Sequence, residues 1–276
     1  MHFNFAFNVI QVLWTLKFAA LLVLLVVLLG RDRMRLFPWF SSSIVLVALD
    51  TLGKRLLHGR MPQITLAWIF LTLADLAVII SVLVLVELAR RAFAGMRRRT
   101  WILGTLVLLA VAAVAPAVWG PWPAWKTLTA NSSQAVLELM QLAQQKGNLL
   151  VDVLTVELGL LIVLFGRRFK AGWRSHAQQI VIGLSTVAIA QMALQGVLQM
   201  IALTAVYHSR EEYERILSLA GKVFNANSVV YLAVLLWWIV FLWIDEPGAA
   251  QAEIPASQAQ EEAAGTMGEK EEEDDL

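Results

Sequence analysis

Seven long apolar stretches are the feature of this sequence that most restricts its fold. An α-helix needs about 20 mostly apolar residues to cross the roughly 30 Å hydrocarbon core of a bilayer. The stretches that meet this need are Val9–Gly30, Leu36–Leu57, Ile64–Leu88, Trp101–Trp122, Gly147–Gly166, Gln179–Val206 and Ser228–Ile244. Only 16% of the residues are charged, against about 25% in soluble domains. The sequence therefore predicts an all-α, polytopic membrane bundle of seven transmembrane helices.

The basic residues at the ends of these stretches predict an orientation. Twelve lysines and arginines follow the first, third and fifth stretches, whereas eight lie at the opposite ends. Because cytoplasmic loops carry the excess of such residues, we expect the N-terminus outside and the C-terminus inside. If the second stretch, which contains Asp50, Lys54 and Arg55, did not cross, the bias would fall to eleven against nine. Seven crossings are therefore preferred.

Charge divides the chain into two parts. Residues 1–245 form the predicted transmembrane domain, and residues 246–276 form a predicted acidic cytoplasmic tail that is disordered because it has few large apolar side chains. From Asp245 onwards there are eleven acidic residues and one lysine, a net −10, whereas the preceding residues carry 21 basic and ten acidic residues, a net +11. A solvated extension is the simplest interpretation of the tail, and a docking segment for a cytoplasmic protein is the alternative.

Two segments outside the apolar stretches also carry helical patterns. The run QAVLELMQLAQQ (134–145) is predicted to form a helix that leads towards the fifth stretch, with a break at Gly147. Ser209 and Glu212 form a capping box at the start of REEYERILSLAGKVF (210–224), whose apolar residues recur at helical spacing. This second segment is expected to lie along the outer interface as a separate amphipathic helix.

Polar and ionisable residues within the apolar stretches are the candidates for a functional site. Such groups are costly in a membrane, roughly 2.5–3.5 kcal/mol for a charge at the helix centre, and they usually face the bundle interior. The candidate ligand-binding residues are Lys17, Asp50, Asp75, Asp152, Glu157, Gln191, Gln195 and Gln199. Counting from the helix ends places them from mid-membrane outwards, with Lys17 facing up to four carboxylates. This imbalance predicts protonated acids, water or a bound cation.

Helix packing is the alternative explanation of the same residues. Pairs of lysine and aspartate, and hydrogen bonds between glutamines, are common contacts between membrane helices. Asp50 also lies one helical turn before Lys54, with which it can pair. The residue types and their spacing leave both interpretations open.

The sequence indicates no catalytic residue, cofactor or metal site. The chain has no cysteine, which excludes thiolate metal sites and cysteine nucleophiles. The four histidines fall at helix ends or in loops, so axial haem ligands within the bundle are not expected. The last stretch has no lysine for a retinal Schiff base. No nucleophile–base pair and no nucleic-acid partner is indicated, and the oligomeric state is left open.

Several short segments resemble a group of uncharacterised bacterial multi-pass inner-membrane proteins. They are VLWTLKFAALLVLLV in the first stretch, FPWF at Phe37–Phe40 and WRSH at Trp173–His176. In helix number and orientation the chain is also similar to the seven-helix sensory modules of bacterial signalling proteins. The resemblance implies a receptor-like protein that detects a small ligand or ion and acts on a separate cytoplasmic partner. An ion- or proton-coupled small-molecule transporter and a non-catalytic scaffold subunit of a membrane complex are the alternatives.

Overall fold

Helices account for all the regular secondary structure in the described part of the chain. The structure, a computed structural model, describes residues 9–57, 59–93, 98–119, 122, 133–165, 175–204 and 210–245. Its helices are α1 (Val9–Gly30), α2 (Arg33–Leu36), α3 (Pro38–Leu57), α4 (Gln63–Ala92), α5 (Arg98–Val118), α6 (Ser133–Phe165), α7 (His176–Thr204) and α8 (Arg210–Trp243). Each predicted apolar stretch corresponds to one of the seven long helices, and α2 is a short elbow between α1 and α3. The chain divides after Trp243 into two units, and the predicted tail lies outside the described residues.

The surface of the bundle is suited to lipid rather than to water. Five helices, α1, α4, α6, α7 and α8, are long and apolar enough to cross a membrane. α5 contributes a shorter apolar segment, Gly104–Val118, and α3 carries three charged residues in its second half. Large apolar side chains such as Leu29, Val107 and Leu164 are more than 60% exposed on the outside of the bundle. Many exposed large apolar side chains, on helices long enough to cross a membrane, are expected of a surface that lipid covers.

Six of the long helices form a closed ring. Their order around it is α1, α3, α4, α6, α7 and α8, and α8 packs back on α1. α5 lies outside this ring and packs on α6. The guanidinium of Arg55, near the end of α3, lies 5.8 Å from the ring centroid of Trp14, near the start of α1. α3 therefore runs back along the length of α1.

Trp238 of α8 joins three helices at one end of the ring. Its side chain is almost fully buried, and its indole N–H donates to the carbonyl of Gln179 in α7 at 3.3 Å. Its ring meets Phe40 of α3 edge-on, with centroids 5.2 Å apart. Gly183 of α7 provides the space, because a Cβ atom there would lie 2.7 Å from Trp238 Cε2. This end of the ring is the one that the charge bias predicts to face the cytoplasm.

Two of the helices are much longer than the stretches that the sequence predicted. α6 passes through Gly147 without the predicted break. The glycine lets Val78 of α4 approach, since a Cβ atom there would lie 2.8 Å from Val78 Cγ1. α8 runs without interruption from Arg210 to Trp243, so the prediction of a separate interfacial helix at 210–224 is wrong. Asn227 lies inside α8 and bonds across to α7 instead of starting a new helix.

Candidate functional site

The eight candidate residues do not form one connected cluster. Within the described part of the chain, no hydrogen bond or ion pair joins any two of them. Lys17 Nζ of α1 donates to Ser228 Oγ of α8 at 3.2 Å. Gln191 Oε1 of α7 accepts from Asn227 Nδ2 of α8 at 3.0 Å. These two contacts hold neighbouring helices together, which is the role that helix packing predicts for them.

Asp50 and Asp75 lie on neighbouring helices of the ring. Asp50 pairs with Lys54 at 2.6 Å within α3, and both side chains are partly open to the outside. Lys54 Nζ also lies 5.7 Å from the ring centroid of Phe70 in α4. Asp75, further along α4, is partly buried. The Asp50–Lys54 pair neutralises two of the three charges that made the second predicted stretch the least apolar of the seven.

Asp152 and Glu157 of α6 each place one carboxylate oxygen in a buried position without a hydrogen-bond partner among the described residues. Ser185 Oγ of α7 donates to the carbonyl of Thr155 at 2.9 Å, so this part of α6 packs directly on α7. Asp152 lies one helical turn before Thr155 and so on the same side of α6. Because a buried carboxylate oxygen without a donor is unfavourable, these are positions where a proton, water or a ligand group is needed.

Gln195 and Gln199 line a cavity of about 490 Å³ between α5, α6 and α7. Such a volume lies within the range of about 300–1,000 Å³ that is usual for small-molecule sites. The residues that line it are Trp119, Leu142, Gln145, Lys146, Leu149, Gln195, Leu198 and Gln199. Apolar walls with a few converging polar groups are typical of a ligand site. We call this space the α5–α6–α7 cavity.

Lys146 of α6 fixes the α5 side of this cavity. Its ammonium donates to the carbonyl of Pro116 at 2.8 Å and to the carbonyl of Trp119, and it lies 4.9 Å from the ring centroid of Trp122. The last carbonyls of a helix have no partner within the helix, and a cation stabilises them. The ammonium of Lys146 therefore holds α5 against α6. The glutamine amides supply the remaining polar groups of the cavity lining.

Gln145, Lys146 and Trp119 line the cavity but were not among the residues predicted from the sequence. A signal was present, because Gln145, Leu149 and Asp152 recur at i, i+4 and i+7 and so lie on one face of a helix. The predicted break at Gly147 divided that face between two segments and concealed the pattern. The partner residues Ser228 and Asn227 were missed because the last helix was predicted to begin there.

Similarity to known proteins does not identify the class of this protein, so its class is argued from its architecture. Comparison with protein-family models, curated proteins and solved structures found no match for this chain. Among the described residues, no group of three or more side chains could hold a metal ion. The several long apolar helices are those of an integral membrane protein.

Proposed function

We propose that this chain is a receptor-like sensory protein of a bacterial inner membrane, which takes a small hydrogen-bonding ligand into the α5–α6–α7 cavity. The observation that carries the proposal is the lining of that cavity by three glutamine amides, Gln145, Gln195 and Gln199, beside the indole of Trp119. An amide both donates and accepts hydrogen bonds, so the lining suits a neutral or zwitterionic small molecule better than a simple ion.

The proposal includes seven crossings with the N-terminus outside. The contact of Arg55 with Trp14 supports a crossing by α3, since it shows that α3 runs back along α1. Arg31 at the end of α1 lies 4.9 Å from the ring centroid of Trp243 at the end of α8, so these ends share one face of the bundle. The cavity lies at the opposite end of α7 from Gln179 and Trp238, which is the outer face in this orientation.

α7 is the element that would carry a signal from the cavity to the other face. Its last turns supply Gln195 and Gln199 to the cavity, and its first turns pack on Trp238. A ligand that bonds glutamines of α6 and α7 together would change the separation of these helices at their outer ends. Because packed helices move largely as rigid units, the change would reach the inner end, where a separate cytoplasmic protein would detect it.

Thermal stabilisation of the purified protein tests for a ligand in the cavity. The probes are free amino acids, monosaccharides, nucleosides and short carboxylic acids. A compound that binds should raise the melting temperature, and Gln195→Leu with Gln199→Leu should abolish the rise. Asp50→Asn, which changes a polar residue outside the cavity, is the matched control and should keep it. A stabilising compound that acts equally on the wild type and the double cavity variant would contradict the proposal.

A second test needs no ligand. Gln199→Cys introduces a single thiol, since the chain has no other cysteine, and a maleimide with a bulky group then fills the cavity. For a sensor we expect altered hydrogen exchange in the first turns of α7 as well as around the cavity. A change confined to the cavity would show that its occupation is not communicated, and would contradict sensing.

Transport is the second candidate, and a specific observation favours it. Buried polar atoms without partners among the described residues occur at Asp152 and Glu157 of α6 and also at Gln178, at the inner end of α7. Gln178 is only 2% exposed, and neither of its amide atoms has a partner there. A transporter would admit a membrane-impermeant thiol reagent to Gln178→Cys from outside and from inside. A receptor would leave this thiol unreactive from outside.

A further inference from the structure

The short helix α2 forms a fixed corner at the inner face of the bundle. Asp32 adopts a left-handed conformation with φ of 51°, which reverses the chain after α1. Aspartate tolerates this conformation better than most residues with a side chain. Arg35 Nε then lies 3.4 Å from Asp32 Oδ1, and both side chains are largely exposed. We call residues 31–37 together with residues 87–91 of α4 the basic elbow.

The end of α4 holds this elbow in place. Arg91 Nη2 donates to the carbonyl of Leu36, and its guanidinium lies 4.6 Å from the ring centroid of Phe37. Glu87 Oε2 accepts from the backbone N–H of Phe40 in the first turn of α3 at 3.2 Å. A carboxylate at a helix N-terminus satisfies a donor that has no partner within the helix. Two side chains of α4 thus fix the direction in which α3 leaves the elbow.

The elbow contains more basic than acidic side chains. Residues 31–37 and 87–91 contain five arginines and two acidic residues. Glu87 accepts a hydrogen bond from the backbone at the start of α3, and Asp32 forms an ion pair with Arg35 at the surface. The side chain of Arg35 is 85% exposed, and Arg90 is also exposed. Their guanidinium groups are therefore directed to the surroundings of the bundle.

Aromatic side chains place the elbow at the level of lipid headgroups. Trp39 lies two residues beyond it and is 43% exposed, and Trp243 lies against Arg31 and is 55% exposed. Exposed tryptophans at the ends of membrane helices mark the boundary between hydrocarbon and headgroups, where the indole ring has apolar contacts and its N–H reaches polar groups. Arg35 and Arg90 consequently lie at the depth of phospholipid phosphates.

We propose that the basic elbow is a binding site for the headgroup phosphate of an anionic phospholipid. Guanidinium groups bind phosphate oxygens through paired, charge-assisted hydrogen bonds, and the elbow presents two exposed guanidiniums on a corner fixed by Arg91 and Glu87. Binding there would join α2 and the end of α4 to one lipid molecule. This inference concerns the opposite face from the α5–α6–α7 cavity and does not depend on what that cavity binds.

Native mass spectrometry of the detergent-solubilised protein tests this site, with phosphatidylglycerol as the probe and phosphatidylcholine as the neutral reference. A basic residue near an anionic surface strengthens binding about fivefold, so Arg35→Gln with Arg90→Gln should weaken phosphatidylglycerol binding about twenty-five-fold. Arg210→Gln with Arg215→Gln removes the same charge from exposed positions at the start of α8 and is the matched control. We expect this control to retain binding.

Three further measurements make the result decisive. Arg35→Lys with Arg90→Lys keeps the charge and should recover only part of the affinity, because lysine lacks the paired donors of arginine. Inorganic phosphate in millimolar excess should not displace the lipid, whereas displacement would assign the site to free phosphate. Equal melting temperatures would show that the variants fold. Equal loss of phosphatidylglycerol in the elbow and control variants would overturn the proposal.

Discussion

At Gly183, α7 and α8 approach so closely that the indole of Trp238 occupies the space where a side chain would lie. The same indole is fixed on its other sides by Gln179 and Phe40. Close packing of this kind is expected where membrane helices associate, because lipid offers no hydrophobic driving force between them and small residues let backbones approach.

We expect Gly183→Ala to destabilise the bundle by about 1–3 kcal/mol, the usual cost of overpacking. Gly196→Ala, in the same helix, is the matched control, because a Cβ atom there meets nothing within 4 Å. Alanine also favours helix over glycine by about 1 kcal/mol, so the control should be neutral or slightly more stable. Thermal unfolding in detergent measures both. Equal stability of the two variants would show that Trp238 moves aside without cost.

The hydrogen bond from Asn227 to Gln191 joins α8 to α7. A double-mutant cycle of Gln191→Leu and Asn227→Leu should show a coupling free energy of about 0.6 kcal/mol, the average for hydrogen bonds between membrane helices. Reversible unfolding in mixed micelles measures the four stabilities. A cycle that closes without coupling would mean that the two amides contribute independently.

Among the helices, α5 is the one held by the fewest neighbours. It packs on α6 outside the ring, and its last turn is tied to α6 by the ammonium of Lys146. An element with few contacts opens more readily than the elements around it. This makes the end of α5 the part of the cavity wall most able to move.

Lys146→Met should release the end of α5 while keeping an apolar side chain of similar length. We expect faster hydrogen exchange in residues 112–119 and little change in α1 or α8. Lys222→Met, which removes a lysine from an exposed position on α8, should leave the exchange of α5 as it is. If Lys146→Met altered α1 and α8 as much as α5, the lysine would support the whole bundle rather than one helix.

The position of each long helix could be predicted because apolar length is encoded locally. The lengths of α6 and α8 could not, since they depend on neighbours. Gly147 is a helix breaker in isolation, but α4 supplies Val78 to fill the space beside it. Asn227 favours a cap in isolation, but α7 supplies Gln191 as its partner. Contacts between helices determined the lengths of both α6 and α8. Such contacts cannot be predicted from a local sequence pattern.

For the molecule as a whole, the sequence predicted polar residues inside the bundle but not which of them share a space. The rotation of each helix about its own axis decides which polar residues share a space. That rotation depends on how the helices pack around the ring. Lys17 contacts α8, whereas Gln195 and Gln199 line the cavity between α5, α6 and α7. The arrangement that results has a cavity at one end of the bundle and the basic elbow at the other. In a membrane these two features would face opposite sides.

Labelling of single cysteines in intact cells tests this arrangement most directly, because the chain has no cysteine of its own. A membrane-impermeant maleimide should label Gln199→Cys in the cavity without permeabilisation, and should label Arg35→Cys in the basic elbow only after permeabilisation. Labelling of both thiols from the same side, or of Gln199→Cys only after permeabilisation, would contradict a membrane bundle with an outward-facing cavity.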